Sequence, residues 1–257
     1  MTESVPSPSS ILVDVELPDP EPLAPGLTEM LSSLRVVLLG WYAVPEQTSP
    51  EQARDQFGDE ARAALAEIAQ DFEAAGAEVT PRLVFTGDKF DSLGRISREE
   101  HCDAVLVPTP MDRDHLRRVL VPLRGLHNAR RIAPFVADLV QDDTTDVTLL
   151  HILEEDETED ASRADVLEPA AEMMREHGID AGLLRLDARA TDDPADTIVE
   201  RSGEYDLVVL GETKPSVRSI LFGSVPEQIV RQAQVPVIVV RHEDVEAEVA
   251  ERAAQAD

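Results

Sequence analysis

The 257 residues predict an α/β fold: two open parallel sheets in one chain, each covered by helices on both faces. Three observations carry this expectation. Wholly apolar runs such as Ala104-Val105-Leu106-Val107 and Leu207-Val208-Val209-Leu210 fit strands buried on both faces, because a sheet wetted on one side alternates apolar with polar residues. These runs alternate with stretches whose apolar residues recur at helical spacing, and a strand–helix–strand alternation builds parallel sheets. The series then repeats: residues 11–15 parallel 119–123, residues 36–39 parallel 147–150, and residues 103–107 parallel 206–210. The repeat divides the chain into residues 9–117, residues 118–241 and an acidic tail, 242–257.

In the first half, residues 11–17 form the first expected strand. Pro18, Pro20, Pro22 and Pro25 exclude a long helix after it, since each fixes φ and removes a donor; a short helix fits near residues 27–34. Residues 36–41 are the second strand, with Trp41 and Tyr42 as packing residues at its end. Ser49-Pro50-Glu51-Gln52 combines an N-cap, a first-turn proline and a glutamine placed to close a capping box. Phe57, Ala61, Ala64, Leu65, Ile68 and Phe72 continue that helix, and Gly76 ends it. A strand over 77–85, a helix over about 90–100 and a strand at 104–107 follow; Pro108 and Pro110 break the last. No fifth strand is visible before the series restarts. The first half therefore reads as a four-stranded remnant whose role is packing or shaping a partner surface.

In the second half, residues 119–123 are a strand and Arg124-Gly125 a turn. A helix from about Asn128 places Ile132, Phe135, Val136, Leu139 and Val140 on one face. A strand at 147–153, a solvated acidic loop at 154–160, a helix over about 163–176 ended by Gly178, and a strand at 179–186 come next. Asp193-Pro194 opens a helix running to about Ser202. Residues 206–241 then read as strand, loop, helix, strand. Gly211 ends the first strand; the loop carries Thr213, Lys214, Ser216, Arg218 and Ser219 and closes at Gly223-Ser224. Ser224 with Glu227 makes a capping box, Pro226 fits the first turn, and Val237–Val240 is the last strand. A loop bounded by glycines and entering a helix N-terminus suits an anion, because free backbone N–H groups and the helix dipole both favour negative charge there. Residues 245–254 read as an acidic helical tail.

The stretch from Asp206 to Arg241 resembles the C-terminal half of a universal stress protein domain, and the whole chain looks like a tandem member with a degenerate first domain. That family carries Gly-x-x-Gly, nine residues, then Gly-Ser or Gly-Thr; Gly211 matches the first glycine and Gly223-Ser224 the last pair. Lys214 stands in place of the second glycine, and the spacer after it is one residue shorter. The resemblance implies a Rossmann-like sheet of the adenine nucleotide alpha hydrolase-like type, with strand order 3-2-1-4-5 in the second half. It implies ATP or another adenine nucleotide as ligand, the glycines letting the backbone wrap the phosphates. Where members that bind ATP carry an aspartate at the end of strand one, this chain has Arg124, and Glu16 in the first half.

In such a sheet, ligands bind beyond the carboxyl ends of the strands where strand order reverses. Strands one and four are neighbours there, which brings Arg124 beside the loop. The expected site is Arg124, Gly211, Lys214, Arg218, Gly223, Ser224 and Val225, a phosphate or other anion pocket made of cations and a helix N-terminus. Residues 112–131 supply further arginines: Arg113, Arg117, Arg118, Arg130 and Arg131. The alternative is a dead site, with Arg124 paired to Glu154 or Glu155. His151 ends a strand nearby and is expected to be packed or solvated.

Charge and motif content bound the rest. Asp and Glu number 52 against 23 Lys and Arg, a net charge of -29, and Lys89 and Lys214 are the only lysines. This surface looks like that of a halophile's protein, hydrated and held apart by charge until salt screens it. It argues against nucleic acid, whose phosphates need Lys and Arg. Cys102 is the only cysteine, so no internal disulfide or cysteine metal cluster is expected, and the six histidines show no metal-ligand spacing. No signal peptide or membrane span is read, which predicts a cytoplasmic protein without membrane insertion. Neither a Gly-x-Ser-x-Gly elbow nor a Walker loop occurs, and slow ATP hydrolysis lacks an identified base or metal carboxylate. The expected role is a non-enzymatic regulatory module. The alternative is an interaction protein, such as the regulatory partner of a transporter, with an empty site. Finally, Val237–Val240 is an apolar edge strand expected to pair with its copy in a homodimer, unless the tail from Glu243 covers it.

Overall fold

A computed structural model describes residues 8–44, 48–153, 157–212 and 224–241. In the first half, β1 (Ser10–Leu17), α1 (Pro25–Leu31), β2 (Arg35–Ala43), α2 (Pro50–Ala74), β3 (Glu78–Thr86), α3 (Lys89–Glu99) and β4 (Ala104–Val107) follow in order. The prolines after β1 hold α1 to seven residues, with Pro25 in its first turn. The Ser49 hydroxyl accepts the Gln52 N–H at 3.2 Å, and the Gln52 carboxamide accepts the Ser49 N–H at 3.4 Å, which is the anticipated capping box of α2. Gly76, at φ 101°, turns the chain out of that helix where an L side chain would be strained.

The second half contains β5 (Arg118–Leu123), α4 (Leu126–Leu139), β6 (Asp146–Ile152), α5 (Glu159–Ser162), a π-helical turn (Arg163–Leu167), α6 (Glu168–Glu176), β7 (Leu184–Arg189), α7 (Pro194–Ser202), β8 (Leu207–Gly211), α8 (Ser224–Gln232) and β9 (Val237–Val240). Two local expectations are corrected. The helix expected at 163–176 begins earlier, because the Thr158 hydroxyl caps the Ala161 N–H, and a π turn interrupts it. The strand expected at 179–186 begins only at Leu184. Asp180 accepts the Gly182 N–H at 2.6 Å and folds Ala181–Leu183 into a 3-10 turn, an Asx-type bond that competes with the strand.

The larger correction concerns the sheet. Instead of two sheets there is one of nine strands, in the order β3-β2-β1-β4-β9-β8-β5-β6-β7. Within the second half this is the 3-2-1-4-5 order, and the first half follows 3-2-1-4. β9 runs parallel to β8 on one side and antiparallel to β4 on the other, with Ala104 opposite Val240 and Val107 opposite Val237. It thus serves as the fifth strand of both halves. The edge expected to seat a second copy does not exist, so a homodimer through Val237–Val240 is ruled out by its own neighbours: both rows of backbone hydrogen-bonding groups on β9 are in use. The tail expected as an alternative cover lies outside the described residues.

The core obeys the same continuity. Side chains of alternating parity point to opposite faces. Ile11, Leu106, Val121 and Ile238 pack on one face with Phe72 of α2 and Phe135 of α4. Leu12, Val105, Leu120 and Val239 pack on the other with Ile96 of α3, Ile198 of α7 and Ile229 of α8. Both layers run through the two halves without a break. The connector between them is tied down by Asp206, buried at 3% exposure: its carboxylate accepts the N–H groups of Arg117 at 2.8 Å and Arg118 at 2.9 Å and pairs with the Arg113 guanidinium. Gly26 in α1 lets that connector approach, since a Cβ there would stand 2.7 Å from the Asp114 carbonyl.

Candidate functional site

β5 and β8 are adjacent, with Val119 opposite Leu207, and the chain leaves them toward opposite sides of the sheet. Their carboxyl ends therefore open a crevice, the place where doubly wound sheets hold ligands. A cavity of about 450 Å³ occupies it. Pro122, Leu123 and Arg124 form its wall at the end of β5, Asn128 in α4, Leu150, Ile152 and Leu153 at the end of β6, Pro194 and Ile198 in α7, Leu210 and Gly211 in β8, and Val225, Pro226 and Ile229 in α8. The walls are apolar save for Arg124 and Asn128. Most wall residues sit where a strand stops or a helix starts, and Ile198 and Ile229 complete the wall from the middle of α7 and α8.

Three of the expected site residues, Arg124, Gly211 and Val225, line this one cavity. Lys214, Arg218 and Gly223 lie outside the described residues, as does the side chain of Ser224. Arg124 is exposed and forms no ion pair among the described residues; Glu154 and Glu155, its candidate partners in a dead site, are not among them. Gly211 is required by close approach: a Cβ on it would lie 2.5 Å from Asn128 Nδ2 and 3.4 Å from Ile132 Cδ1. Val225 is 37% exposed, the one large apolar side chain so exposed among the described residues, and it stands in the first turn of the nine-residue α8. Glu227 in the same turn is matched by Arg231 at 2.8 Å, so its charge is not left facing the cavity mouth alone.

The other arginines of residues 112–131 do not converge here. Arg113, Arg117 and Arg118 gather around Asp206 at the amino end of β5, the opposite end of the strand. Arg131 donates to the Arg241 carbonyl at 3.0 Å. His151 is buried; its Nδ1 lies 2.8 Å from the Leu123 carbonyl and its Nε2 3.1 Å from Glu157, so it braces the end of β5 and does not line the cavity. Cys102 is a buried core residue, its thiol pushed up to about 12 by burial. Among the described residues no group of His, Cys, Asp and Glu has the arrangement of a metal site, and no helix is long and apolar enough to cross a membrane.

Sequence reasoning missed Asn128, Pro194, Ile198 and Ile229 as wall residues. The strand order alone locates α4, α7 and α8 around the crevice, but which residue of each helix faces it depends on helix rotation. The helix starts themselves were marked in the sequence, by Asp193-Pro194 for α7 and by Ser224, Pro226 and Glu227 for α8.

The family model of the universal stress protein family matches residues 115–241. Among curated proteins none matches the chain by sequence. Three solved structures share the fold over nearly the whole length. A universal stress protein from Archaeoglobus fulgidus superposes with a TM-score of 0.61 at 17% identity, covering 93% of this chain and 98% of that one. A putative universal stress protein from Pseudomonas aeruginosa gives 0.56 at 17% identity, covering 96% and 98%. A functionally unknown protein from Pseudomonas aeruginosa gives 0.53 at 17% identity, with the same coverage. The α/β class read from the sequence is therefore the observed one, and the stretch that matches the universal stress protein family model, residues 115–241, is the part of the chain that carries this cavity.

Proposed function

We propose that the chain is a non-enzymatic regulatory module of tandem universal stress protein type, which binds an adenine nucleotide or another phosphate-bearing anion in its second half. The observation that carries this reading is the cavity at the ends of β5 and β8: apolar walls of the size of a flat ring system, a guanidinium at the rim that has no ion pair among the described residues, and a helix N-terminus beside it. The ring stacks against Leu123, Ile152 and Ile198 and excludes water. The phosphate meets Arg124 and the N–H groups of the first turn of α8, where the helix dipole adds its partial positive charge. Lys214, one of only two lysines, and Arg218 are assigned to the same anion. In this reading the bound ligand is a signal and not a substrate.

A second reading is favoured by one sequence observation, the replacement of a family glycine by Lys214 with a shortened spacer. In that reading the cavity is vestigial and the chain acts through a protein partner, for instance a transporter whose activity it regulates. Thermal unfolding in molar KCl with ATP, ADP, AMP and cyclic dinucleotides separates the two. A ligand at 100 times its Kd stabilises by about 2.7 kcal/mol. The nucleotide reading expects such a shift with at least one of them, lost in Arg124→Ala. No shift with any of them leaves the partner reading.

A further inference from the structure

A second cavity, of about 310 Å³, opens at the carboxyl ends of β1 and β4, which are adjacent strands one and four of the first half. Its position repeats that of the first cavity, but its charge is inverted. Asp14, Glu16, Asp19 and Glu21 line it, with Lys89 as the cation among its walls. Asp14 is the informative residue. It lies within β1 between two buried valines and is 2% exposed. One carboxylate oxygen pairs with the Lys89 ammonium; the other, Oδ1, is buried and has no hydrogen-bond partner. A buried carboxylate oxygen without a donor is destabilising and rare in folded chains. Burial also pushes the Asp14 carboxyl above the usual carboxylate range, against the pull of Lys89, so one ammonium does not compensate it. Lys89 is itself engaged from the other side, 5.2 Å from the centre of the Trp41 ring.

A metal ion does not fit these groups, because no three acidic, histidine or cysteine side chains among the described residues converge as metal ligands. The carboxylates are spread along the cavity, one at its floor and the others at its exposed rim. We propose that the first half binds an organic di- or polyammonium ion in this cavity, one ammonium donating to Asp14 Oδ1 and the others reaching Glu16, Asp19 and Glu21. The first half is then a ligand site in its own right, with selectivity opposite to that of the second.

Calorimetric titration of the full chain with spermidine tests this. The expected result is one saturable site, and a change with the same midpoint in the emission of Trp41, the only tryptophan, which touches Lys89. Asp14→Asn, which keeps the shape and removes the charge, weakens binding about tenfold, a change of about 1.4 kcal/mol. Because Asp14 is buried, the double variant Glu16→Gln/Glu21→Gln at the exposed rim serves as a second arm and weakens binding without loss of fold. The proposal is overturned by the absence of a saturable site, by equal affinity in the parent and both variants, or by an identical saturable response to Mg²⁺.

Discussion

Val105 in β4 lies opposite Val239 in β9 in antiparallel register, and neither side chain is exposed. This pair is where the two halves become one molecule. The sheet's true edges are β3 and β7, and they carry Glu78 and Arg82 on one side and Arg185, Asp187 and Arg189 on the other. Charged residues on edge strands discourage pairing with another chain, whereas the apolar β4 and β9 are kept inside.

Since sheet and core are continuous through that pair, the two halves are expected to unfold together. Val239→Ala should lower stability by roughly 1–3 kcal/mol through lost burial and a small cavity, and shift one transition as a whole. Scanning calorimetry in molar KCl checks this; two separated transitions, with only the later one moved by the substitution, would contradict the continuous core.

Asp206 is expected to be a stability residue. Asp206→Ala leaves the backbone N–H groups of Arg117 and Arg118 without their carboxylate acceptor and should cost roughly 1–3 kcal/mol in urea unfolding. Asp206→Asn keeps an acceptor oxygen and should cost less. Equal losses in the two variants would mean that the charge pairing with Arg113, and not the backbone bonds, is what holds the connector.

Cys102 gives a pH prediction. Burial raises its thiol from 9.0 to about 12 in the folded chain. The folded state keeps a proton that the unfolded state gives up, so this contribution to stability is complete below about pH 9 and is lost as pH rises toward 12. At pH 8 the thiol should resist alkylation until the chain unfolds. Rapid, stoichiometric labelling of the folded protein at that pH would show that the thiol is not enclosed.

The net charge of -29 predicts that salt stabilises the fold. The screening length falls from about 10 Å at 0.1 M to about 3 Å at 1 M, which removes most of the repulsion between surface carboxylates. The melting temperature should rise steadily with KCl, and equal osmolality of a neutral sugar should not reproduce the rise. A flat or falling profile would remove the salt-adapted reading of the surface.

Much of the architecture is legible in the sequence because it is local. Ser49 and Gln52 announce α2, and the apolar runs Ala104–Val107 and Val237–Val240 are strands with the anticipated limits. What a strand pairs with is not local. Val-Ile-Val-Val reads the same whether its free edge meets another chain or β4 of its own, so the single sheet could not be read from the run itself. The strand expected at 179–186 failed because a side-chain bond from Asp180 outcompeted strand geometry over three residues. At the site, Arg124, Gly211 and Val225 followed from strand order and the glycine-bounded loop. The helix faces that complete the cavity did not, because helix rotation is set by packing. Asp14 did leave a signal: a charge in the middle of a strand buried on both faces needs a partner, and one of two lysines supplies it.

The assignment of an anion to the cavity between β5 and β8 is tested most directly by a crystal structure of the full chain soaked with AMP in high salt. The account predicts the adenine ring between Leu123, Ile152 and Ile198, and the phosphate within hydrogen-bonding distance of the Arg124 guanidinium and the first turn of α8. Electron density showing the cavity filled by an Arg124–Glu154 or Arg124–Glu155 ion pair, with no nucleotide, would contradict it.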